Sequence, residues 1–112
     1  MALKSWSIAE FSGADEENYV QETLLEADGV VIILLSLLIS NYSDENDAHI
    51  IVTRTDSSDT VKFRWELNIP VTNSPLALDS KIVFTDGDKL KIEVNNADVA
   101  VDASGDESED ES

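Results

Sequence analysis

Ten consecutive residues, Val30-Val-Ile-Ile-Leu-Leu-Ser-Leu-Leu-Ile39, carry a single polar side chain between them, and no other segment constrains the fold as much. The run is far short of the ~20 residues that a membrane-spanning helix needs. Asp28 and Asp44 also bracket it closely. Its start is β-branched, and turn signals flank it: Ala27-Asp28-Gly29 before, and the polar connection Asn41–Asp47 after. These features predict a strand buried on both faces. A buried helix is the competing reading, because a continuous apolar run has no periodicity to separate the two.

The segments on either side read as further strands. Tyr19–Leu25 is rich in β-compatible residues, and His49–Thr55 forms another such run before the turn Asp56–Asp59. Val61–Ile69 alternates cleanly: Val61, Phe63, Trp65, Leu67 and Ile69 face one way, and Lys62, Arg64, Glu66 and Asn68 the other. That is the pattern of a half-buried antiparallel strand. Pro70 closes it, and a loop is expected at Asn73–Pro75. Short strands follow at Leu76–Leu78 with Lys81–Phe84, at Lys89–Val94 and at Val99–Ala103. Thr85–Asp88 and Asn95–Asp98 have the composition of hairpin turns, and Asn41–Asp47 reads as a longer hairpin connection. Short strands with turns every eight to twelve residues describe a small antiparallel β-sandwich of about seven to eight strands. The expected organisation is an N-terminal arm over residues 1–18, a sandwich over 19–104 and an acidic flexible tail over 105–112. No signal peptide is expected, since no apolar run or small-residue cleavage site follows Lys4.

Composition narrows the functions open to such a fold. The chain has 112 residues and 42% hydrophobic content, enough to fold and to bury about two-thirds of the unfolded surface. Cysteine is absent, which removes disulfide scaffolds, cysteine-ligated metal centres and cysteine nucleophiles. Twenty-four acids against seven bases give a net charge of −17. Nucleic acid and anionic membranes call for basic patches, so neither is expected as a direct partner. The imbalance is not confined to the end of the chain: residues 1–104 hold 19 acids against 7 bases, or −12. Hydrated carboxylates resist salting-out, so such a surface fits a salt-rich, halophilic habitat. An ordinary acidic surface explains it as well, and a duplex-DNA mimic would need carboxylates spaced like phosphates.

Catalytic chemistry finds little support. His49 is the only histidine; it opens a strand near Asp47, and no nucleophile-elbow sequence accompanies it. Asp44–Asp47 and Asp86-Gly-Asp88 are clusters of hard oxygen ligands without EF-hand spacing. Turns gather Asp, Asn and Gly for backbone reasons, which is the simpler reading. No Gly-rich phosphate loop is present. No catalytic residue, no metal site and no cofactor are expected.

Beyond the individual signals, the stretch from Tyr19 to Asp106 resembles small β-sandwich virion proteins of tailed bacterial and archaeal viruses. Those proteins decorate or cement the head, or occupy related neck and tail positions. The resemblance is carried by the order of Ile39-Ser-Asn41, His49-Ile-Ile-Val52, Ile69-Pro-Val71, Pro75-Leu-Ala-Leu78, Lys81-Ile-Val-Phe84 and Gly87-Asp-Lys-Leu-Lys-Ile92, closing on Asp98–Ser104. The resemblance implies a structural, non-enzymatic role on the particle surface, with a major capsid protein or another virion protein as partner. It also implies a homo-oligomer, a trimer being the natural arrangement on a quasi-symmetric shell.

The apolar run fits that picture on physical grounds. A sandwich strand is ordinarily apolar on one face only, so Val31, Ile33, Leu35 and Leu37, or their alternates, need a second cover. The choices are the N-terminal segment with Trp6, Ile8 and Phe11, or another subunit, and the subunit interface is favoured. Trp6, Ile8 and Phe11 are then docking anchors, although closing the sandwich's own core is an alternative use for them. A rival from another class is a carbohydrate- or receptor-binding module with Trp65, Tyr42 or Tyr19 as the sugar platform. Trp65 alternates in phase with Val61 and Phe63, which places it in the core and weakens that rival.

Overall fold

A computed structural model describes residues 2–43, 45–71, 76–78 and 81–109. The expected loop Asn73–Pro75, Asp44 of the acidic cluster and residues 110–112 lie outside the described residues. The chain is all-β, with strands β1 (Ala2–Ile8), β2 (Val20–Glu26), β3 (Val30–Asn41), β4 (Ala48–Thr55), β5 (Val61–Ile69), β6 (Leu76–Leu78), β7 (Ile82–Phe84), β8 (Lys89–Val94) and β9 (Val99–Glu109). They form two antiparallel sheets. One runs β1-β9-β3 with β6 and β7 beyond β3; the other runs β2-β8-β4-β5.

β7 pairs with Ile32–Leu34 and β6 with Leu37–Ile39. The two short strands are therefore pieces of one interrupted edge strand. Counted as one, they give two four-stranded sheets between which the chain alternates, the strand order of a jelly roll. Among the described elements, β4 and β5 are consecutive strands that pair directly as a hairpin. The segments Asn41–Asp47, Thr85–Asp88 and Asn95–Asp98, expected to be hairpin connections, instead carry the chain from one sheet to the other. Turn chemistry reports that the chain reverses; it does not report which sheet receives the next strand.

Backbone and side-chain hydrogen bonds hold these corners together. At one end of the sandwich, Ala27 N donates to Asp88 O at 2.9 Å and Gly87 N to Ala27 O at 2.6 Å. Gly29 N donates to Asp86 Oδ1 at 2.7 Å. Gly87 has a φ of +93°, and a Cβ there would run into Ser57, so no other residue fits. At the other end the buried Asn41 side chain donates to the carbonyls of Asn46 and Ile69, and buried Asn96 donates to Asn46 O as well. These amides supply the partners that buried loop carbonyls need.

β3 departs most from the sequence reading. A bulge lies between Leu34 and Ser36 against β9, so Leu35 is the extra residue. Before the bulge Ile32 and Leu34 point into the core; after it Leu37 and Ile39 do. The phase flips, and Leu38 takes the outward place that strict alternation assigns to Leu37. The strand is also not buried on both faces by its own chain, since Leu35 is 41% and Leu38 40% exposed.

Residues 2–8 and 99–109 are both woven into this sheet. The expected N-terminal arm contributes β1, paired with β9 from Ala2↔Glu107 to Ile8↔Val101. It lies beside β9 and does not lie over the outer face of β3. The expected flexible tail is corrected likewise: Gly105–Glu109 continue β9, pairing with β1 on one side and β3 on the other. Hydrophilic composition misleads there because the inward positions are met by small residues, Ala103 and Gly105, which need no apolar side chain to be buried.

Candidate functional site

The residues expected to mediate association divide between core and surface. Phe11 is 0% exposed, inside the core between β1 and β2. Trp6 and Ile8 are half-buried on β1 and pack against that core. The three residues thus close the sandwich, and Phe11 is not available as a docking anchor. Leu37 is core as well, for the bulge reason given above. Val31, Ile33 and Leu35 lie on the outer face of the β1-β9-β3 sheet with Leu38. In the register across that sheet, Leu3 stands opposite Asp106, Asp106 opposite Ile33, and Ile33 opposite Val83. Leu3 and Val83 are both exposed, so the apolar surface extends from β1 to β7 with the acids of β9 set into it.

His49 is held between two polar side chains. Its Nδ1 is 2.7 Å from the Tyr19 hydroxyl, and its Nε2 is 3.2 Å from Glu66 Oε1. Asp47, the acid beside it in sequence, accepts instead from the Val71 amide at 3.1 Å. The Asp86 and Asp88 carboxylates are committed to the corner: Asp86 to Gly29, and Asp88 to the Thr85 amide, the Thr85 hydroxyl and Arg54. Among the described residues, no group of three or more His, Cys, Asp or Glu side chains could hold a metal ion.

Asp88 is the buried acid on which this corner depends. Burial pushes its carboxyl up, but the Thr85 amide and the Arg54 guanidinium outweigh that cost, so it is held below the ordinary carboxylate range. Arg54 Nη2 lies 3.0 Å away, the guanidinium sits 5.2 Å from the Phe84 ring centre, and its buried Nε has no partner among the described residues. A folded-state pKa below the unfolded value of ~3.9 stabilises the fold above that pH, and the contribution is lost as pH falls through the folded value. Asp88→Ala is expected to cost about 3 kcal/mol at pH 7, measured by urea unfolding, because Arg54 is left unpaired. The gap from the parent protein should narrow below pH 4. Equal stability at pH 7 would refute the assignment.

One further feature escaped the sequence reading. The inward row of β5 is buried at Ile69 and half-buried at Leu67 and Trp65, but Phe63 is 49% exposed, and a register shift against β4 takes Val61 out of that row. The sandwich is open at that end. A groove of about 530 Å³ runs between β5 and β7, floored by core side chains that include Leu34, Val52 and Leu90. Phe63, Trp65 and Ile82 line its sides, with Arg54, Lys62 and Lys81. Three of the chain's seven basic residues line this groove, and among the described residues no acid does. The sequence signal was available: Lys62 and Lys81 flank apolar strands in a chain otherwise poor in cations. Among the described residues no Asp or Asn lines the groove beside Trp65 to meet sugar hydroxyls, as the sugar-platform reading needs. Tyr42 is exposed, but its hydroxyl donates to Ala9 O at 3.1 Å.

No protein-family model matches the chain, and no curated protein does. Among solved structures it is similar to a chain of "Structure of infectious bursal disease virus Gx strain", at 12% identity and a TM-score of 0.44. The match covers 94% of this chain and 31% of that one, so the chain spans less than a third of the solved chain's length. The jelly-roll assignment rests on the strand order itself.

Proposed function

We propose that the chain is a non-enzymatic structural subunit of a virus particle, of the kind that decorates or cements the head of a tailed virus. In this reading it associates with copies of itself and with a shell protein through the outer face of the β1-β9-β3 sheet. The observation that carries the reading is that face: Val31, Ile33, Leu35, Leu38 and Val83 form an apolar surface that its own N-terminal strand does not cover. Exposed apolar surfaces of this kind mark interaction sites. The jelly roll is a frequent scaffold of capsid and lectin domains, and function on it comes from the surfaces it presents. The sequence resemblance to virion accessory proteins supplies the choice of a particle.

Self-association opposes a net charge of −17, so it should strengthen as salt screens the repulsion. Sedimentation equilibrium from 0.1 to 2 M salt is expected to give an oligomeric mass that grows more stable with salt. Leu35→Ser/Leu38→Ser should shift it to monomer while leaving the far-UV spectrum unchanged. A monomer at every salt concentration overturns self-association. The particle assignment has its own test: mass spectrometry of purified particles from the source culture should find this chain in stoichiometric amount with the shell protein. Its absence there overturns the virion role.

A further inference from the structure

The groove between β5 and β7 lies at the open edge of the sandwich, and it reads differently from the rest of the surface. Three properties coincide there. Its floor is the apolar core itself, reached between the two sheets. Its rim is basic in a chain of net charge −17. It is also bordered by two strand edges that are unpaired among the described residues, where β5 pairs with β4 and β7 with β3.

We propose that this groove binds an extended peptide segment of a partner chain in which apolar and acidic residues alternate. Each property selects one part of that ligand. An extended chain can pair its backbone with a free strand edge, which is how peptides add to sheets. The packing distance between sheets, ~10 Å, is about twice the spacing of ~4.8 Å between paired strands, so one strand has the width to occupy such an opening. Alternate side chains of the segment then enter the slot between Phe63, Trp65 and Ile82. The remaining side chains face the rim, where Lys81 has no acidic partner among the described residues. Lys62 holds only an exposed contact to Asp56 at 3.6 Å, which a ligand carboxylate can replace at little cost. Arg54 is already neutralised by Asp88, and its guanidinium lies over the Phe84 ring. The selection against basic segments is built in, because cationic side chains would meet Lys62 and Lys81 at the rim.

Trp65 reports on the groove, and Trp6→Phe leaves it the sole tryptophan. In that background, titration with the peptide acetyl-(Val-Glu)4-amide at 0.15 M salt is expected to shift Trp65 emission to the blue and to saturate. Lys62→Glu/Lys81→Glu should weaken the peptide at least tenfold. Both lysines are exposed, so the urea midpoint of that variant should stay at the parent value and exclude misfolding as the cause. Acetyl-(Val-Lys)4-amide, although attracted by the net charge, should leave the Trp65 spectrum unmoved. The proposal is overturned by the absence of a saturable shift, or by equal affinity in the lysine variant. It is also overturned if decanoate saturates the shift and the peptide does not, which would make the groove a site for small amphiphiles. None of these outcomes depends on Leu35 or Leu38, so the peptide site and the virion reading can fail separately.

Discussion

A chain ending at Ser104 should show no cooperative unfolding transition, whereas the loss of a mere acidic tail would leave the melt unchanged. The reason lies in the position of β9, which is central in its sheet between β1 and β3. Residues 105–109 account for the pairings of β3 from Val30↔Glu109 to Leu34↔Gly105. They also account for those of β1 from Ala2↔Glu107 to Lys4↔Gly105. Removing them strips backbone partners from two strands at once and exposes the inner side chains of Ile32 and Leu34. A net ~1 kcal/mol per lost hydrogen bond, with ~1.5–3 kcal/mol for each large side chain uncovered, is comparable to the whole ~5–15 kcal/mol stability of a domain. A point substitution makes the same case without shortening the chain. A Cβ on Gly105 would overlap the Ile33 carbonyl oxygen and crowd Leu34 Cα at 3.1 Å, both of them backbone atoms that cannot swing aside. Gly105→Ala is therefore expected to cost about 3 kcal/mol of unfolding free energy by urea titration, well above the usual ~1 kcal/mol for a point change. Ser104→Ala, one residue earlier on an exposed position, should be nearly neutral. A truncated chain that still melts cooperatively would return residues 105–112 to the status of a tail.

The contrast between these neighbouring residues shows what the sequence could and could not disclose. Strands with strong local signals were legible: the alternation of Val61–Ile69 matches β5, and the runs at Val30, His49 and Lys89 match β3, β4 and β8 closely. The all-β sandwich follows from them. What local patterns do not encode is pairing between distant segments. Gly105–Glu109 reads as disordered because it is acidic and lacks large side chains, yet a central strand bordered on both sides gains its stability from backbone pairing. The bulge at Leu35 was invisible for the same reason, since nothing in an unbroken aliphatic run marks where the partner strand skips a residue. It moved one interface residue, Leu37, into the core and put Leu38 outside. The groove depends on β5 and β7 facing each other across the edges of two different sheets, a property of the pairing and not of either strand.

Phe11 separates the core from the interface most sharply, because its two readings predict opposite results. As a docking anchor it would leave the isolated protein's stability untouched when removed and weaken association. Its environment dictates the reverse. The ring is fully buried, its amide donates to Ala97 O at 3.1 Å, and its carbonyl accepts from Ala14 N at 3.1 Å. The backbone thus fixes the segment between β1 and β2 while the ring fills the end of the sandwich. Phe11→Ala should cost about 3–5 kcal/mol, the transfer free energy of the ring plus the cavity it leaves. For a domain of this size that lowers the melting temperature by on the order of 15 °C. Phe11→Leu keeps most of the volume and should recover more than half of the loss. Wherever Phe11→Ala remains folded, its sedimentation mass should equal that of the parent, because the outer face of β3 is unchanged. Leu35→Ser/Leu38→Ser should give the mirror image, a small change in melting and a large one in mass. An unchanged melt for Phe11→Ala together with a reduced mass would restore Phe11 to the interface.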